Sequence, residues 1–449
     1  MLDTMTASIL IVSGLVALSI FSSLLSFRIG APLLLVFLCV GLIAGEDGLG
    51  GLHFDNVNAA YLIGNVALAI ILFDSGFHTS IKAFRSAAWP AISMASLGVL
   101  VTTAVVAVPV HLLLHLGWLE SALMGAIASS TDAAAVFFLL RVGGIHVRDR
   151  VRSTLEVESG SNDPMAIFLT LTLVTLLAGH GEISPLHIAA EFVAQFGVGA
   201  LVGLTGGGLI VFALNRMGFE RGLQPLAAIS LALVVFATAT ELHGSGFLAV
   251  YVAGLVAGNS RINAPETMRR FQDGLTWLAQ IVMFLTLGLL ATPSEFPPYA
   301  STALIVALVL IFVARPLAAW LCLLPFGFNR NETAFVAWVG LRGSVSVLLS
   351  IVPMVAGLPQ ARDYFIVAFL VVLVSLALQG WTIGPVARFL GQIVPKRIGP
   401  VERQELEIPG ARHELVTYHV VADSLVARGH RLPRWAEPSL VVRNDQSYS

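Results

Sequence analysis

The sequence predicts an all-α polytopic membrane protein of about thirteen transmembrane helices, and three observations carry that prediction. Hydrophobic residues make up 57% of the 449 positions and charged ones 12%, at a mean hydropathy of +0.86. A water-soluble domain carries about twice that share of charge. Apolar windows long enough to cross a bilayer recur between charged or Gly/Pro-rich breaks through residues 1–400. The basic residues in those breaks fall almost wholly on one side.

The windows centre near Leu15, Phe37, Ala67, Val101, Ala128, Leu171, Gly203, Val234, Val252, Phe284, Leu308, Leu341 and Val374. The first, residues 5–27, has no preceding basic residue and no small-residue cleavage site, and it is too long for a signal peptide, so it reads as a retained span. With loops alternating sides, sixteen Lys and Arg residues, from Arg28 to Arg397, collect on one side and only Arg362 on the other. The positive-inside rule makes the basic side cytoplasmic, placing the N-terminus outside and the C-terminus inside. Cys39 and Cys322 lie in apolar runs, where thiols pack as small hydrophobes. A net charge of −2 without Lys/Arg-rich runs gives no sign of a nucleic-acid partner.

Two windows have polar centres. Residues 126–136 align with residues 337–347 at an offset of 211, and the two segments begin on opposite sides of the membrane. That is the pattern of an inverted repeat, and Gly/Ser/Thr-rich centres suit two broken helices crossing at the midplane, whose free carbonyls and helix ends form ion sites. Beyond residue 400 the composition changes: residues 401–449 hold seven acids and six arginines and read as part of a small cytoplasmic domain, too short to bury a good core.

Ionisable groups inside the spans mark the candidate site, because charge at membrane depth is costly. Asp132, Asp163 and Arg342 fall in mid-span, Asp74 near a span end, and Arg315 inside the eleventh window. On a helix starting near Ser153, Ser159 and Asp163 share a face, as do Glu158 and Asn162. Pro164 has no N–H, so the carbonyl of Gly160 loses its helical partner. Hydroxyls, carbonyls and a carboxylate make a hard-oxygen site that suits an alkali cation and suits zinc or copper poorly. Proton and cation then compete for Asp163, and a carrier that crosses only when that group is neutralised must exchange one for the other. Arg342 needs a partner, and Glu158 is the expected one.

These residues resemble those of the NhaP-type monovalent cation:proton antiporters, closest to the bacterial potassium/proton antiporters of the cell-volume-regulation branch. The resemblance covers residues 1 to about 400 and rests on Ser130-Thr131-Asp132, on Glu158 through Pro164, on Gly244 through Tyr251 with Ala253-Gly254-Leu255, and on Leu341 through Ser346. It implies an inverted-repeat antiporter fold in a homodimer, each protomer pairing a dimerisation part with a mobile core, in the bacterial inner membrane with a periplasmic N-terminus. It implies that Asp163 is the shared proton and cation ligand, with Thr131, Asp132 and Ser159 around it. Asp163, Thr131 and Ser159 are then the alkali-cation ligands, Glu158 is salt-bridged to Arg342 with Asn162 beside them, and Asp74 and Arg315 are candidates for the ion path. The transported K+ or Na+ and H+ are substrates, and no cofactor is expected. The tail resembles the opening of a TrkA C-terminal-type regulatory domain, which implies a small-ligand regulator.

Oxygen ligands do not separate potassium from sodium, so a sodium-selective exchanger is the nearest alternative. A gated cation channel is disfavoured by the lack of a repeated pore loop or filter signature. The sequence contains neither a nucleophile-base constellation nor His-Glu-x-x-His, so no enzymatic activity is expected.

Overall fold

The computed structural model describes residues 2–29, 32–179, 184–220, 222–262 and 265–394, together with four short strands within 401–448. The chain separates into a helical unit, Met1–Ile393, and a second unit, Val394–Ser449. The helical unit runs α1 (Leu2–Ile29), α2 (Leu33–Ala44), α3 (Val57–His78), α4 (Ile81–Ser93), α5 (Val99–Leu114), α6 (Trp118–Ile127), α7 (Ala133–Val142), α8 (Asp149–Leu177), α9 (Pro185–Arg216), α10 (Leu223–Glu241), α11 (Gly246–Gly258), α12 (Pro265–Leu290), α13 (Pro297–Val309), α14 (Arg315–Leu323), α15 (Arg330–Trp338), α16 (Ser344–Val355) and α17 (Ala361–Phe389). In the second unit β1 (Val401–Leu406) pairs antiparallel with β2 (Leu415–Tyr418), and β3 (Val441–Arg443) with β4 (Gln446–Tyr448).

Eight helical segments are long and apolar enough to cross a membrane. Each contains one predicted centre: Ala67, Val101, Leu171, Gly203, Val234, Phe284, Leu308 or Val374. Leu15, Phe37 and Val252 fall in shorter apolar helices. The remaining two, Ala128 and Leu341, lie in non-helical breaks, between α6 and α7 and between α15 and α16. There the chain is polar and Gly/Ser/Thr-rich, as the sequence led one to expect.

The helices pack in two groups. α2 and α3 lie against α12, and α9, α10 and α11 join them, while α4 to α8 pack with α13 to α17. Between α3 and α11, Gly76 faces the Tyr251 carbonyl, and Gly254 and Gly258 face the carbonyls of Phe73 and Phe77. A Cβ at any of these positions would meet backbone, so small residues let the two helices approach. Two long helices each contain one wide π turn, at Met94–Gly98 and Leu310–Ala314. The second has a local cause: Pro316 cannot donate to the Phe312 carbonyl, the ladder widens, and Arg315 follows directly.

Candidate cation and proton site

The two breaks meet. The Asp132 N–H donates to the Leu341 carbonyl at 2.8 Å, joining the first break to the second. A broken helix leaves carbonyls without partners at one end and N–H groups at the other, and each must be met inside the protein. At the start of α7 the Asp132 carboxylate accepts from the Ala135 N–H at 3.1 Å, an N-cap, and the Ser159 hydroxyl accepts from the Ala133 N–H at 3.1 Å. At the end of α6 the carbonyls of Ser129 and Ser130 accept from Arg342 Nη1 at 2.7 and 2.8 Å. In the second break the Arg342 N–H donates to Ser375 Oγ at 3.0 Å, Ser375 donates to Gln379 Oε1 at 2.6 Å, and Gln379 Nε2 donates to the Trp338 carbonyl at 2.6 Å. Side chains of α8 and α17 therefore hold both breaks open.

Arg342 does not pair with Glu158, contrary to the sequence expectation. Glu158 instead takes a bidentate bond from Arg315, Nη1 to Oε1 at 2.5 Å and Nη2 to Oε2 at 3.0 Å, with both side chains buried. The reason is local. Backbone carbonyls in a break carry partial negative charge without a helical partner, and the Arg342 guanidinium meets those of Ser129 and Ser130, just past the end of α6. Arg315 reaches Glu158 past Gly340, where a Cβ would collide with the arginine stem. Arg315, read from sequence as lining the ion path, is therefore an ion-pair partner and does not line the cavity.

A cavity of about 370 Å³ runs to these residues. Its exposed end holds Arg152, Asp273 and His78, and its buried end holds Asp163, Ser344 and Ser159 with Asp132. Asp74 lines the wall, with its carboxylate 3.0 Å from His78 Nδ1. Asp163 is 5% exposed and accepts a 2.5 Å bond from the Ser130 hydroxyl. Ser159 donates to the Thr131 carbonyl at 3.0 Å, and Asn162 Nδ2 donates to Thr131 Oγ1 at 2.5 Å. Thus Asp132, Ser159 and Asp163 reach the cavity together, whereas Thr131 and Asn162 sit behind them. Helix α8 starts at Asp149, four residues before the expected Ser153, and runs through Pro164 without interruption.

Sequence reasoning missed four residues here. Ser130 and Ser344 lie in quoted motifs but were not singled out as site residues. Ser375 and Gln379 were legible only as polar residues in an apolar span, a signal that says they are buried but not what they hold.

Comparison with known proteins identifies the family. The family described as sodium/hydrogen exchanger, transmembrane, matches residues 15–389. This chain belongs to that exchanger family. It is 46% identical over 425 residues to a K(+)/H(+) antiporter NhaP of Alkalimonas amylolytica, covering 94% of this chain and 74% of the relative. It is 45% identical over 439 residues to a K(+)/H(+) antiporter NhaP2 of Shewanella oneidensis, covering 97% and 76%. A Na(+)/H(+) antiporter NhaP of Pseudomonas aeruginosa is 30% identical over 356 residues, covering 74% and 82%. The solved sodium proton antiporter MjNhaP1 of Methanocaldococcus jannaschii superposes with a TM-score of 0.74 at 22% identity, covering 86% of this exchanger and 99% of that chain, a likeness of fold.

Proposed function

We propose that this exchanger carries K+ against H+ across the bacterial inner membrane, one for one, in ion and pH homeostasis and cell-volume regulation. The observation that carries the exchange reading is Asp163, a buried carboxylate at the inner end of a cavity of about 370 Å³ with Ser159 and Asp132 beside it. Such a group binds either a proton or a hard cation, and desolvation penalises leaving it with neither. The preference for K+ rests on the relatives at 45–46% identity that bear that name.

In this reading the helices make thirteen crossings as an inverted repeat, and the two breaks meet near the midplane. The protomer is one half of a homodimer in the lipid bilayer, with its N-terminus periplasmic and its C-terminus cytoplasmic. The cavity opens beside Arg152, on the side where the basic loops collect, so it faces the cytoplasm. The strands after residue 400 belong to a cytoplasmic regulatory segment that answers to a small ligand.

The deciding experiment is proton movement in proteoliposomes on adding Li, Na, K and Rb salts separately. Saturable proton release largest with K would support the reading. A response largest with Na would favour the sodium-selective alternative, for which the Na(+)/H(+)-named relative at 30% identity speaks. Cation flux without coupled proton movement would favour a channel.

A further inference from the structure

A cation bound at Asp163 needs oxygen ligands beyond that carboxylate, and the groups at the buried end of the cavity differ in what they have left to give. Asp163 accepts from the Ser130 hydroxyl through Oδ1, and its Oδ2 takes no hydrogen bond from any described residue. The Ser159 hydroxyl is engaged twice, donating to the Thr131 carbonyl at 3.0 Å and accepting from the Ala133 N–H at 3.1 Å. Asp132 caps α7 through Oδ1. All three belong to α8 or to the first break.

Ser344, the first residue of α16, is the polar group that the second break sends to the same cavity. It is 4% exposed, and its hydroxyl has no hydrogen-bond partner among the described residues. The hydroxyl of Ser346 is unpartnered too, but that oxygen is sealed in protein and Ser346 does not line the cavity. The Ser344 oxygen is not sealed, so a cavity occupant can reach it. The ordinary structural uses of a serine are also missing. Ser344 is not the N-cap of α16, which is Gly343, and it does not turn back onto a carbonyl as Ser350 does onto that of Val347 at 2.6 Å. A hydroxyl left unmet in so dry a place is costly, and a bound cation would meet it. The partial positive charge of the helix start is answered by Asp132, whose carboxylate lies against Gly343.

We propose that the Ser344 hydroxyl is a direct ligand of the transported cation, contributed by the second break, and that it favours K+ and Rb+ over Li+. The assignment rests on the reading of Asp163 as the exchange group and adds the oxygen that closes the site from α16. A hydroxyl supplies an oxygen without supplying charge. That suits a large cation, which takes many ligands and gives up its water readily, better than a small one. A cation so held touches both broken helices at once.

The test follows thermal unfolding of the purified full chain at fixed alkaline pH against rising Li, Na, K and Rb chloride separately, with choline chloride of equal ionic strength as the blank. A ligand that binds only the folded protein stabilises it by an amount set by occupancy, so each series gives a half-saturating concentration. Ser344→Ala should raise that concentration for K+ and Rb+ about tenfold or more and move that for Li+ less. Ser344→Cys keeps the shape but offers a soft sulfur that alkali cations bind poorly, and it should behave like Ser344→Ala. Cooperative unfolding in the choline blank shows that a variant folds, and either variant suffices. Half-saturation by K+ unchanged in a folded variant, or an equal loss for all four cations, overturns the assignment and leaves the exchange reading standing. A parent protein that no alkali cation stabilises, or a response that survives Asp163→Asn undiminished, overturns both.

Discussion

Arg315 and Glu158 form a bidentate ion pair inside the helical unit, at 2.5 and 3.0 Å, with residual exposures of 4% and 1%. Two charges so deep persist only because each satisfies the other, and removing one leaves the other uncompensated. Arg315→Gln should therefore destabilise the protein by about 3–5 kcal/mol, and Glu158→Gln combined with Arg315→Gln should recover part of that loss. Thermal unfolding of the purified variants reads this directly. The cycle with Arg342→Gln in place of Arg315→Gln should be closer to additive, because Arg342 holds the Ser129 and Ser130 carbonyls instead. Strong coupling of Glu158 to Arg342 and none to Arg315 would show that the pairing described is wrong.

Asp163→Asn should abolish exchange while the protein folds. The amide keeps the shape and can still accept from Ser130, but it loses the charge for which proton and cation compete. Proteoliposome exchange alongside a folding check on the same preparation measures this, and substantial exchange by a folded variant would remove the basis of the proposed mechanism. Asp132→Asn should be severe as well, since its carboxylate both lines the cavity and caps α7.

Gly343 bears on Asp132 by proximity. A Cβ at Gly343 would collide with the Asp132 carboxylate and its stem, so Gly343→Ala must displace that side chain or the break itself. Misplacing a group at a site by about 1 Å can lower a rate about a hundredfold, and a loss of that order is expected in exchange rate. A variant exchanging within about twofold of the parent would mean that Asp132 needs no fixed position.

Exchange should be bell-shaped in pH. At low pH protons hold Asp163 and exclude the cation, and at high pH too few protons return to complete the cycle. Raising the cation concentration should move the acidic limb to lower pH, because more protons are then needed to compete. Initial rates across pH at several K+ concentrations give the answer; an acidic limb that stays put would point to a separate sensor.

Membrane potential should not move the equilibrium. Asn162 stands beside Asp163 where a second aspartate would offer another proton carrier, and Glu158 is locked by Arg315. One proton for one cation moves no net charge, whereas a net charge would feel ~2.3 kcal/mol per 100 mV. The cation ratio at which flux reverses, measured under imposed potentials with pH gradient fixed, should stay constant. A reversal point that shifts with voltage would make Asp132 a second carrier.

Much of this was legible along the chain. Hydropathy located the eight helical segments long enough to cross a membrane and three of the shorter apolar helices, because a crossing helix demands a long apolar run. The same demand made Asp132, Asp163 and Arg342 conspicuous, and the polar centres near Ala128 and Leu341 announced the breaks.

Sequence by itself, then, determined where most of the helices run, where two of them break and which ionisable residues lie inside spans, since those are set by local composition against a uniform solvent. Tertiary structure alone decided who meets whom. Glu158 had two buried arginines to choose between, and spacing cannot rank partners that lie 157 and 184 residues away. The choice fell to the Ser129 and Ser130 carbonyls, which claim Arg342, and to the space over Gly340, which admits Arg315. Ser375 and Gln379 likewise gain their roles only when α17 is laid against the second break, because a backbone N–H or carbonyl freed by a broken helix is satisfied by whatever the fold brings alongside.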